Sequence, residues 1–101
     1  MSEIKKAEFD IQLDEQVGLG QYSNLHLVGF SPTEFILDFA TILPGLQKPR
    51  VRSRIILTPE HAKRLLLSLQ ENVTRYESTM GPIHLRTKQP NIDPFGGKGN
   101  A

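Results

Sequence analysis

Residues 20–39 read GQYSNLHLVGFSPTEFILDF, and the fold turns on how this stretch divides. Two apolar runs flank Ser31-Pro32-Thr33. Proline has no N–H to give a central ladder, and it presets the first corner of a type I or II turn. The stretch therefore predicts a hairpin, with strands over residues 21–30 and 34–43. A three-residue turn pairs residues whose numbers sum to about 64. Leu27 then faces Leu37, Leu25 faces Phe39, and Phe35 covers Gly29.

Upstream, Phe9, Ile11 and Leu13 alternate with Glu8, Asp10 and Gln12, the period-two signature of a half-buried strand over 7–13. Downstream, Pro44-Gly45 and Pro49 bound a loop, and VRSRIIL (51–57) reads as a further strand. The short connections predict an antiparallel meander. Its odd-numbered side chains, Phe9, Ile11, Leu13, Leu25, Leu27, Leu37, Phe39, Val51, Ile55 and Leu57, make an apolar floor. A one-residue slip would turn a whole strand over.

The C-terminal helix is the most sharply marked element. Thr58 is placed to cap it, Pro59 occupies the first helical position, and Glu60 suits the positive dipole end. His61 stands where a capping box would have Glu. Ala62, Leu66, Leu69, Val73, Tyr76 and Met80 recur in alternating steps of four and three and, with Leu65, form one apolar stripe. Gly81 supplies the stop and Pro82 forbids resumption. The rod is roughly 33 Å long. Leu67 lies about 145° from the stripe centre, beside Lys63, Arg64, Glu71 and Arg75.

The expectation is an α+β domain over 7–83: a four-stranded antiparallel sheet followed by one long C-terminal helix packed on its odd face. Residues 1–6 are expected to be a flexible N-terminus. Residues 84–101, rich in proline, glycine and polar residues, are expected to be a flexible tail.

A core of about eighty residues buries only about 60–65% of its unfolded surface, so its stability is marginal without help. The chain has no cysteine, which excludes disulfides and thiol chemistry. His26, His61 and His84 follow no ligand spacing, and no metal or cofactor motif is present. Self-association is the remaining source of stability. The even-numbered sheet face supplies a surface for it, carrying Tyr22, His26, Val28, Phe30, Ile36, Ala40, Ile42 and Ile56. One helix cannot cover both faces of a sheet, and an apolar patch of this size is unusual on a monomer. Val28, Phe30, Ile36, Ile42, Ile56 and Leu67 are the expected protein interface, to a second copy or to another polypeptide, with the C-terminal tail folded back over the sheet face as the competing occupant. The assembly expected is a homodimer or larger.

Charge divides along the chain. Residues 1–47 hold two lysines against seven acids, and residues 48–101 hold ten Lys/Arg against four acids. Arg50, Arg52 and Arg54 alternate, which would put all three on one side of a strand. With Lys63 and Arg64 they form a candidate anion-binding set for nucleic acid or another polyanion. Pairing of the arginines with Asp38 and Glu34 on a neighbouring strand competes with that. No Phe, Tyr or Trp stands between Lys48 and Arg75, so the stacking platform of a single-strand binder is missing. Catalysis has no visible basis: Asp10 and Asp14, or Glu34 and Asp38, would stand about 13 Å apart on a strand. No enzyme is expected. No apolar run is long enough to span a membrane, and a cytoplasmic location is expected.

The blocks GQYSN, SPTEFILDF, LPG and RIILTPEHAKRLLLSLQENVTRYE, ending in MG, resemble the short bacterial proteins grouped as domain of unknown function 3467. The resemblance covers residues 9–83 and implies no catalytic residue. Strands followed by a long helix are also similar in layout to the SecB export chaperone, which implies assembly through sheet edges and helices and a greasy surface for unfolded chains. The further C-terminal helical part of a SecB subunit has no counterpart here.

Overall fold

The computed structural model describes residues 2–6, 9–45 and 47–86. Along the chain these form β1 (Ser2–Lys6), β2 (Phe9–Leu13), a single turn α1 (Glu15–Gly18), β3 (Leu25–Phe30), β4 (Phe35–Thr41), β5 (Arg50–Leu57) and α2 (Pro59–Met80). The class is α+β, an antiparallel sheet with a long C-terminal helix. The strands divide into a β1–β2 hairpin and a three-stranded sheet of order β3-β4-β5. The Phe9–Leu13 strand thus pairs with Ser2–Lys6, a segment expected to be a flexible end, and lies outside the meander. Residues 81–86 are irregular, and the rest of the expected C-terminal tail lies outside the described residues.

The β3–β4 turn corrects the register. Phe30 pairs with Phe35 and Leu25 with Ala40, so paired numbers differ in parity. Four residues, 31–34, make the connection instead of three. Ser31 explains the difference: its N–H donates to the Glu34 carbonyl at 2.9 Å, and its Oγ accepts from the Thr33 and Glu34 N–H groups. Glu34 is thereby drawn into the turn and β4 begins at Phe35. The Phe30 and Phe35 rings meet across the turn mouth, centroids 5.7 Å apart.

One extra turn residue turns β4 over relative to β3. Leu25, Leu27 and Gly29 share a face with Ile36, Asp38 and Ala40, the Ile36 face. His26, Val28 and Phe30 share the other with Phe35, Leu37 and Phe39, the Leu37 face. The single odd-numbered floor does not exist, because Leu25 and Leu37 point to opposite sides. β5 pairs in matching parity up to Phe39↔Ser53, placing Arg54 and Ile56 on the Ile36 face and Ile55 and Leu57 on the Leu37 face. The ladder then shifts: Ala40 pairs with Val51 and Arg52 is left as the extra residue of a β-bulge.

Side chains extend the β3–β4 ladder past its end. Asn24 brackets Ile42, with Nδ2 donating to its carbonyl at 3.0 Å and Oδ1 accepting its N–H at 2.7 Å. Ser23 Oγ donates to the Ala40 carbonyl, and Thr41 Oγ1 donates to the Tyr22 carbonyl.

Helix α2 begins and ends as its sequence dictates. Thr58 Oγ1 accepts the His61 N–H at 3.2 Å, Pro59 opens the first turn, and Gly81 closes it at φ 104°. The helix does not pack on a sheet face, however. None of its residues is buried, and its contacts with other elements centre on β5, the strand that leads into it. The buried apolar residues among those described are Leu25, Ile36 and Ala40, all on the Ile36 face. This is too little to hold the long helix, and no described residue closes over its stripe.

Candidate protein-binding surface

The Leu37 face is the open side of the sheet. Val28 (45%), Phe30 (56%) and Ile55 (45%) are exposed there. Between them Phe35, Leu37 and Phe39 of the central strand are only half-buried, as is Leu57. A central strand has neighbours on both sides, so half-burial means that no described residue lies on top of it. Sequence reasoning assigned Phe35, Leu37, Ile55 and Leu57 to the floor beneath the helix and so missed them as surface. The signal was the second serine-bonded N–H of the turn, which period-two counting cannot see.

The residues expected to form one interface are therefore divided. Val28 and Phe30 stand together on the Leu37 face. Ile36, 8% exposed, and Ile56, 56% exposed, stand on the other. Ile42 lies just beyond β4, exposed, with its backbone held by Asn24. Leu67 is exposed on α2.

The arginine row is divided as well. Arg54 crosses to Asp38, its directly paired residue, with Nε–Oδ1 at 2.7 Å and Nη2–Oδ2 at 2.8 Å. Asp38 is 2% exposed, so this fork satisfies a buried carboxylate through both oxygens. The bond to Asp38, reinforced by its charge, raises the Arg54 guanidinium above its ordinary pKa. Beyond the bulge, Arg50 pairs with Thr41 and falls on the Leu37 face. Arg52 instead lines a shallow cleft of about 200 Å³ with Gln21, Tyr22, Ser23, Phe39 and Ser53. Lys63 and Arg64 open α2, where Arg64 reaches back to Glu60 at 2.9 Å. The five cations are not gathered into one site.

Among the described residues, no group of three or more His, Asp or Glu stands close enough to hold a metal ion. Nor is any helix among them long and apolar enough to cross a membrane.

An antiparallel sheet with one open apolar face and a long unsupported helix defines a small α+β protein with surfaces to cover. The family described as protein of unknown function (DUF3467) matches residues 1–85, and the chain belongs to that family. Comparison with curated proteins and with solved structures gives no match to either.

Proposed function

We propose that this is a small, non-enzymatic, cytoplasmic protein that associates with itself and binds another polypeptide in a chaperone-like manner. The observation that carries the reading is the Leu37 face: exposed Val28, Phe30 and Ile55 around a half-open central strand. An extended apolar segment laid across it would bury side chains worth about 1.5–3 kcal/mol each. The four-stranded sheet and the SecB-like outline belong to the same reading. Among the described residues β2 and β3 each keep an open edge, and joining the β1–β2 hairpin to the sheet through β2 on assembly would bring the four expected strands into one sheet, with β1 as a fifth at its rim.

The test is fluorescence anisotropy with a labelled, permanently unfolded chain such as reduced, carboxymethylated α-lactalbumin. Saturable binding is expected, weakened about tenfold or more by Phe30→Glu, since loss of one large buried side chain exceeds 1.4 kcal/mol. Absence of binding at micromolar protein removes the reading. Binding to RNA at about 50 mM salt that fades with added salt, without peptide binding, would replace it with polyanion recognition through Arg50, Arg52 and the helix cations.

A further inference from the structure

We infer that α2 pairs with α2 of a second copy as an antiparallel coiled coil, its two-fold axis level with Glu71. This rests on the self-association reading above and names the surface that performs it.

The pattern points to a helix as occupant. Ala62, Leu66, Leu69, Val73, Tyr76 and Met80 alternate steps of four and three, which is the a/d seam of a coiled coil. A helix resting on a sheet carries a broader stripe, with an apolar residue at one flank in every heptad. Here the flanks are Lys63, Gln70 and Glu77 on one side and Leu65, Asn72 and Thr79 on the other, and only Leu65 is apolar. No described residue covers the seam: from Leu66 to Met80 its residues are between 37% (Val73) and 69% (Met80) exposed. Among the described residues the other helix is the four-residue α1, too short to fill it. A second α2 is the helix of matching length.

Size and charge choose the direction. Run antiparallel about Glu71, the seam sets Ala62 against Met80 of the second copy, Leu66 against Tyr76, and Leu69 against Val73. Small meets long in the outer layers, and the middle is aliphatic. The same alignment brings Lys63 beside Glu77 of the second copy, twice by symmetry. Glu77 Oε2 already accepts the Ile83 N–H at 2.9 Å, and its other oxygen is the acceptor for Lys63. A parallel pair would stack Ala62 on Ala62 and Tyr76 on Tyr76, leaving a gap beside a crowd. It would also flank the seam with Leu65–Gln70 and Asn72–Glu77, where no opposite charges meet. The exposed seam amounts to roughly 500 Å² per copy, so pairing removes about 1,000 Å², the lower bound of a specific interface.

The cysteine-free chain permits a direct test. The double variant Ala62→Cys/Met80→Cys should form a covalent dimer on a non-reducing gel, while each single variant should not. The two positions lie about 27 Å apart along one helix, so they cannot bridge within a chain. Cross-linking by a single variant means parallel pairing and overturns the proposal. A dimer by light scattering with no cross-link also overturns it, yet leaves self-association standing. A monomer overturns both. Charge exchange gives a readout independent of cysteine placement. Glu77→Lys and Lys63→Glu should each weaken the dimer about tenfold, and the two together should restore it. Failure of the double exchange to restore affinity overturns the antiparallel register.

Discussion

At the scale of single residues, register decides what a substitution does. Ile36 is 8% exposed on the buried face, whereas Phe30 is 56% exposed on the open one. A glutamate at 36 has no partner and must unfold its surroundings to reach water. Ile36→Glu should therefore lower stability by about 3 kcal/mol or more, abolishing the cooperative urea transition. Phe30→Glu loses only the ring contact with Phe35 and should cost about 1 kcal/mol, leaving the transition cooperative. The Arg54–Asp38 fork makes a second pair of outcomes. Replacing Arg54 by Met strands a buried carboxylate, so Arg54→Met should lower the urea midpoint clearly more than Arg52→Met. The pKa of Arg54 is raised in the fold. Its contribution is thus fully present below the unfolded-state value and lost only as pH rises through the folded one. Both lie in strong alkali, so the difference between wild type and Arg54→Met should stay flat from neutrality to about pH 10. A fall in that difference below pH 10 would mean that the fork is not what holds Asp38.

At the scale of elements, the helix was the most legible and the sheet the least. Cap, first-turn proline, stripe and terminal glycine all act locally, within four residues, so the bounds of α2 follow from reading along the chain. Thr58→Ala removes the oxygen that holds the His61 N–H and should cost about 1 kcal/mol, measured by urea unfolding. Strands β3, β4 and β5 were also visible as apolar runs. Their relative faces were not, because facing depends on a count between runs. The SPTE turn holds one residue more than Ser-Pro-Thr suggested, since Ser31 Oγ binds two successive N–H groups. The bulge at Arg52 adds another parity change that alternation cannot report, since R-V-R-S-R looks equally regular with or without it. The Asp38–Arg54 pair was foreseeable because opposite charges stood on neighbouring strands. The separation of Arg50 from Arg54 was not. The N-terminal hairpin was missed because SEIKK carries one large apolar residue, and only its partner β2 shows alternation.

At the scale of the whole molecule, the question is what keeps one subunit folded. Its parts do not stand alone. A two-stranded hairpin is marginal in water, and so is a helix of 22 residues without tertiary support. Leu25, Ile36 and Ala40 are the buried apolar residues among those described, far short of what usually offsets the entropy of ordering such a chain. Folding and association should therefore be one equilibrium, and stability should depend on protein concentration. For a dimer that unfolds to two chains, each tenfold rise in concentration adds about 1.4 kcal/mol to the apparent stability of the assembly. Thermal unfolding followed by circular dichroism at about 2, 20 and 200 μM should show the midpoint climbing by several degrees per step. Leu69→Asp, at the middle of the exposed helix seam, should flatten that dependence and leave a partly helical monomer at every concentration. A midpoint that stays constant over the hundredfold range would mean that a single chain carries its own stability. The bare stripe of α2 would then need an explanation other than a second copy.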